Sequence, residues 1–185
     1  MAAEEVFAKL AAHMIEGVMF HSQMADYYTF LGLDGYAKCH CYHSASEMAE
    51  LGRLKAYYIT HFDKLLPEGK AKNPDAIPSG WLRYERNDVD VNTRRSAVKS
   101  GAERWVLWET ETKALYEQMY RELEATGEIA AALEVTRLIR DVSDELCTAK
   151  QKHLLLKSTD YSADYTADEQ RRCLEHYSAM LETIY

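Results

Sequence analysis

A chain of 185 residues with 8 glycines and 3 prolines has too few turn-formers for sandwiches, barrels or propellers, which need both in quantity. A net charge of −8, from 22 basic and 30 acidic residues, with no basic stripe, argues against nucleic-acid or anionic-membrane partners. No apolar run approaches the ~18–20 residues of a membrane span, and Gly-rich phosphate loops are missing.

The first segment carries Phe7, Leu10, Met14, Gly17, His21, Met24, Tyr28 and Leu31 at alternating steps of three and four. That is the stripe of an amphipathic helix about 30 residues long. Gly32-Leu33-Asp34-Gly35 reads as its turn. A second helix is expected over about Tyr36 to Leu66, with the stripe Tyr36, His40, His43, Glu47, Leu51, Leu54, Tyr58, Phe62, Leu65, and with Pro67 ending it. Its upper half carries polar residues whose burial is costly unless they are paired or bind a ligand. Residues 67–92 hold all three prolines and form a connector long enough to carry the chain along a whole bundle. Trp81, Leu82 and Tyr84 are expected to pack it onto the body.

Asn92 or Thr93 is the expected N-cap of a third helix, about Arg94 to Ala125. Its stripe is Val98, Ala102, Trp105, Glu109, Thr112, Tyr116, Met119, Leu123. Gly127 breaks it, and a fourth helix follows over about Glu128 to Lys157, with Ala131, Val135, Leu138, Val142, Glu145, Ala149, Lys152 and Leu156 on one face. A second phase, through Ala132, Val135, Ile139, Val142 and Leu146, would expel Glu145. A fifth helix starts near Thr166. Two hairpins with short turns and one long crossover define a four-helix bundle in which the second and third helices run parallel. Residues 1–157 form this bundle and 158–185 a C-terminal helical appendage. Its side Tyr165, Leu174, Tyr177, Leu181 and Ile184 must cover its own bundle or a partner.

Residues equally far from an antiparallel turn share one height. With the first turn centred near Asp34, His21 and Glu47 each lie thirteen residues away. If the crossover returns the chain to that end, Glu109 falls at the same height, and Glu145 lies within two residues of its reflection about Thr126. His21, Glu47, Glu109 and Glu145 then form one polar layer, with Glu50 one turn from Glu47. Carboxylate and imidazole donors suit Fe²⁺, Mn²⁺ or Zn²⁺, and bundle cores build dinuclear sites from glutamates and Glu-x-x-His pairs.

Several segments resemble the ferritin-like superfamily, rubrerythrins in particular. Phe20-His21-Ser22-Gln23-Met24-Ala25-Asp26-Tyr27-Tyr28 resembles their Gly-Glu-Ser-Gln-Ala…Arg-Tyr run, with His21 where that family has its first ligand Glu. Asp34-Gly35-Tyr36 resembles their Glu-Gly-Tyr. Counting on from Tyr36, the resemblance puts the second-helix ligand Glu on Glu50 and its partner His on Arg53, whereas the layer prefers Glu47. In the third helix it points to Glu111, whereas the layer points to Glu109. Glu145 has Thr148, and Asp141 has Asp144, where a His would complete Glu-x-x-His. The resemblance implies an all-α ferritin-like bundle. It also implies one of two functions: an altered di-metal site, with Fe, Mn or Zn and oxidoreductase chemistry, or a metal-free structural or protein-interaction module.

Cys39-His40-Cys41-Tyr42-His43 lacks the spacing of a closed zinc site, and on a helix its two cysteines face apart. The four cysteines (Cys39, Cys41, Cys147, Cys173) and the acidic N-terminus without a signal-peptide core give the expectation of reduced thiols in a cytoplasmic protein. A homodimer or larger assembly is expected. No nucleophile triad stands out.

Overall fold

The computed structural model describes residues 2–67, 69–77, 85 and 89–184, apart from the side chains of 163–165. Five helices follow in order: α1 (Ala3–Phe30), α2 (Asp34–Phe62), α3 (Val91–Ala125), α4 (Ile129–Ser158) and α5 (Ala163–Leu181). The expected stripes of α1 and α3 are buried throughout. That follows from their 3.6-residue period, which puts one continuous apolar face toward the partners.

Glycine closes both hairpin turns. Gly32 (φ 69°) and Gly127 (φ 81°) adopt left-handed backbone. In each turn the following amide reaches back over the helix end, Leu33 N–H to Tyr28 O and Glu128 N–H to Leu123 O, which satisfies carbonyls that the helix leaves open. Four boundaries differ from expectation. α2 starts at Asp34, two residues before Tyr36. α2 stops at Phe62, before Pro67, because Asp63 turns left-handed (φ 52°); Leu65, expected in the core, is therefore exposed. α3 starts earlier, with Asp90 rather than Asn92 or Thr93 as its cap, accepting from Thr93 N–H at 2.6 Å. α5 starts at Ala163.

The crossover runs along α1. Gly69 lies against Ala8 O, Lys72 N–H donates to Glu16, and Ala76 N–H donates to Gln23. Ala8 to Gln23 is about 22 Å of helix, close to the reach of the seven extended residues from Gly69 to Ala76, roughly 23 Å. The chain thus returns to the first turn's end. The prediction for Trp81, Leu82 and Tyr84 lies outside the described residues.

Contacts between helices set the threading. Tyr28 meets Gly101, where a Cβ would stand 2.1 Å from its hydroxyl, and His13 meets Thr112, so α1 and α3 are antiparallel. His43 meets Glu145 and Glu50 meets Arg137, so α2 and α4 are antiparallel. α2 and α3 are therefore parallel, as one long crossover requires. α5 packs on α2 of its own chain, with Cys173 and Tyr177 buried beside Cys39 and Tyr36.

The core has two apolar clusters. One, near the first turn, holds Phe20, Met24, Tyr28, Val98 and Trp105. The other, at the far end, holds Phe7, Leu10, Leu54, Leu123 and Val135. Polar residues separate them.

Candidate functional site

Between the two clusters lie His21, His40, His43 and Glu109, all buried, with Glu109 only 1 % exposed. The helical stripes put them there, because a residue at a stripe position faces the core whatever its polarity. Glu145 closes the layer from α4 with its side chain 27 % exposed, and Glu47 is partly buried on α2.

His21 and His40 share a proton between their Nδ1 atoms at 2.9 Å. His21 Nε2 stands 3.6 Å from Glu109 Oε1, and His43 Nδ1 stands 3.4 Å from Glu145 Oε1. Trp105 Nε1–H donates to Glu109 Oε1 at 2.8 Å. The His21 ring stacks on those of His40 and His43, with centroids 5.2 and 5.1 Å apart. Four atoms here are buried without a hydrogen-bond partner: His21 Nε2, both ring nitrogens of His43, and Glu109 Oε2. Orphaned polar atoms cost free energy in a low-dielectric core.

Glu47 does not meet His21, as the expected height required. Its carboxyl group lies against Gly17, one turn earlier on α1, where a Cβ would come within 3.0 Å of it. The true turn centre is Gly32, since Asp34 already belongs to α2. Moving the centre by two residues shifts opposing positions by four, one helical turn. His43 thereby takes the place opposite His21. Glu47 still shares the electrostatic environment of Glu109, Glu145 and His43.

Glu109 is buried and Glu111 is exposed, so the layer rather than the family spacing identifies the inward residue of α3. In α4 both expected phases contribute buried residues, Ala131, Leu138 and Ala149 from one, Ala132 and Leu146 from the other, and Val135 and Val142 from both; Glu145 lies at the edge of this wide face, 27 % exposed. Glu50 is held by two guanidinium groups, Arg53 at 2.7 Å and Arg137 at 2.5 Å. Arg53, at the family's His position, thus neutralises a carboxylate. His40 and His43 were absent from the candidate ligands, although their stripe positions and the cost of burying them were the signal that could have added them.

A cleft of about 260 Å³ between α2 and α4 reaches the layer from solvent, lined by Glu47, Glu50, Asp141, Asp144, Glu145 and Tyr116 among others. Burial pushes the Glu109 carboxyl up to about 7, although His43 and the Trp105 bond favour its charged form. Burial, then the charges of Glu145 and Glu109, hold Glu47 well above the ordinary carboxyl range. Burial, with His43 adding, takes His21 down to about 3. His40 is lowered by burial and by His21 and His43. Burial also opposes charging of His43, but Cys39 and Glu145 outweigh it and its pKa is raised. The layer is therefore short of positive charge and rich in carboxylate. Among the described residues, no three His, Cys, Asp or Glu side chains are gathered closely enough to hold a metal ion as they stand.

Solved archaeal ferritin structures share this architecture. A closed form of the Archaeoglobus fulgidus ferritin, engineered by site-directed mutagenesis, aligns with TM-score 0.77 at 10 % identity, covering 94 % of this chain and 96 % of that one. The open-pore ferritin of the same hyperthermophilic archaeon aligns with TM-score 0.76 at 9 % identity, over 93 % and 94 %. A humanized archaeal ferritin gives TM-score 0.77 at 10 % identity, over 94 % and 97 %. At such identity the likeness shows the fold: an all-α, ferritin-like helical bundle with a C-terminal helix. No protein-family model and no curated protein matches the chain.

Proposed function

We propose that this ferritin-like bundle binds a divalent cation in its histidine–carboxylate layer, supplied through the acidic cleft between α2 and α4. The observation that carries this reading is the set of orphaned buried atoms on His21, His43 and Glu109. They sit beside carboxylates that raise one another's pKa, and a cation would satisfy both. His21, His43, Glu47, Glu109 and Glu145 would hold it after side-chain rotation; Glu50 would join only by leaving Arg53 and Arg137. Bound Fe²⁺, Mn²⁺ or Zn²⁺ would supply Lewis-acid chemistry, and iron or manganese also redox chemistry toward dioxygen or peroxide, which is the oxidoreductase reading. The surrounding residues orient the donors. With the shared proton on His21 Nδ1, His40 fixes the tautomer that leaves the His21 Nε2 lone pair facing the layer. Trp105 fixes Glu109 from the opposite side.

Dialysis of purified protein against Fe²⁺, Mn²⁺ or Zn²⁺, followed by elemental analysis, should leave about one to two ions per chain, as bundle-core sites hold. The Glu47→Gln, Glu109→Gln double variant should retain none. Protein that keeps no metal and shows no thermal shift with any of the three ions overturns the proposal. Oxidation of added Fe²⁺ tests the redox part separately.

The metal-free module is the second reading, favoured by the His21–His40 bond, which ties α1 to α2 and can fix their register as a polar network does. Under it, Glu47→Gln leaves a folded protein with unchanged assembly. The homo-oligomeric and cytoplasmic assignments are proposals too. Large exposed apolar side chains on α4, Leu133 (64 %) and Leu154 (70 %), support association, and four free thiols fit a reducing compartment. Light scattering distinguishes monomer, dimer and larger assembly.

A further inference from the structure

A second recess lies at the end of the bundle where α2, α3 and α5 begin, away from the histidine layer. It is a cavity of about 320 Å³. Leu33, Val98 and Tyr161 give it apolar walls, and Arg94, Arg95 and Gln170 bring donors to it. No acidic side chain is among its described lining residues. That is unusual in a chain of net charge −8, and opposite to the cleft between α2 and α4 with its five carboxylates.

The donors are unspent. Arg95 Nε and Gln170 Nε2 are both buried with no hydrogen-bond partner. The Gln170 amide is oriented by its other end: its Oε1 accepts from Tyr36 N–H at 2.9 Å. That contact caps α2, whose N-cap residue Leu33 makes no side-chain cap bond. Gln170 Nε2 is thus left as a donor at the recess. The nearest acid paired with Arg95 is Asp160, at 3.9 Å and 94 % exposed, where water screens it. The starts of α2, α3 and α5 add partial positive charge on this side, offset by the ends of α1 and α4, which meet the recess at Gly32 and Tyr161.

We propose that this recess binds a small organic monocarboxylate with an apolar body. The carboxylate would take the Arg95 and Gln170 donors and the charge of Arg94, and the body would lie on Leu33, Val98 and Tyr161. At ~30 Å³ per water-sized group, the space suits roughly ten non-hydrogen atoms, the size of a medium-chain or single-ring acid. Such a volume is at the small end of ligand pockets.

Calorimetric titration of the full chain with octanoate tests this, with inorganic phosphate as the head-group control and octan-1-ol as the apolar control. Octanoate should bind saturably, one per chain, and both controls at least about tenfold more weakly. Arg95→Gln should weaken octanoate by about tenfold or more, the loss expected for one charged hydrogen bond, with an unchanged helical spectrum. Arg94→Gln, at an exposed side chain, gives a second, milder loss. Silence with octanoate at millimolar concentration, octanol binding as tightly as octanoate, phosphate binding alone, or both variants binding like the parent overturns the proposal.

Discussion

The far apolar cluster and the polar layer are built from the same four helices and the same stripes, yet they solve burial differently. In the cluster, Leu10, Leu54, Leu123 and Val135 are fully buried, and packing alone satisfies them. In the adjoining layer each buried polar atom needs a partner, and four make no hydrogen bond, His21 Nε2 and His43 Nδ1 having only carboxylate contacts at 3.6 and 3.4 Å. The first region is optimised for stability. The second leaves buried polar atoms under-satisfied, which costs stability.

The comparison can be broken most forcefully at Leu54. Leu54→Ala should cost about 2–5 kcal/mol through lost burial and a residual cavity, read by urea unfolding. A cost below ~1 kcal/mol would mean that the far cluster is not close-packed.

Glu109→Gln should act in the opposite direction. In metal-free protein the folded Glu109 value is about 7 against an ordinary 4.5. The folded state thus holds a proton that the unfolded state releases. This residue's contribution is most favourable below 4.5 and is lost as pH rises through 7. His21, at about 3 against 6.5, has the reverse sign: its contribution is complete above 6.5 and declines as pH falls toward 3. Between 6.5 and 4.5 the two contributions oppose each other; the raised Glu47 and His43 act in the sense of Glu109, and the lowered His40 in that of His21. The variant should be more stable than the parent at pH 8 by ~1–3 kcal/mol. Its advantage over the parent should shrink on acidification from 7 to 4.5, as Glu109 takes up its proton in the parent. Unfolding curves in chelator at pH 8, 6 and 4.5 check this; a variant less stable at pH 8 would mean that Glu109 is charged and well paired.

Arg137→Ala touches the rim. Arg137 contacts Glu50, Glu134 and Asp141 with its side chain 25 % exposed. Its loss should cost less than about 1 kcal/mol and leave Glu50 held by Arg53 alone; with Arg53→Ala added, Glu50 is freed and cation uptake at the cleft should tighten. Unchanged or weaker uptake by that double variant, by dialysis, would remove Glu50 from the ligand set. The smallest perturbation is chemical. Native protein treated with iodoacetamide should be modified at the exposed Cys41 and Cys147, with the buried Cys39 and Cys173 reacting only on unfolding; burial pushes the Cys173 thiol up to about 12, which suppresses the thiolate further. Four modified residues under native conditions would show that α5 opens from α2.

Much of the fold was legible because its signals are local. Gly32 and Gly127 mark left-handed turns that other residues rarely adopt, and every member of the α3 stripe from Val98 to Leu123 is buried, with Gly101 and Trp108 widening that face. Glu109 was found over Glu111 by the same logic. Glu47 was placed one turn too far along α1 because the turn was centred on Asp34, which already belongs to α2, rather than on Gly32, and a two-residue error in the turn centre is doubled across a hairpin. His40 and His43 were read as polar stripe members but not as ligands, since their partners come from α1 and α4.

By itself, then, the sequence determined the helices, their faces, the crossover and the presence of a buried polar layer, all consequences of spacing along one chain. Only the tertiary structure decided the register that sets His43 opposite His21, the capture of Glu50 by Arg137, the docking of α5 on α2, and the recess with its unspent Arg95 and Gln170 donors. These depend on distances between elements far apart in sequence, and those are fixed by how side chains interlock rather than by the period of any one helix.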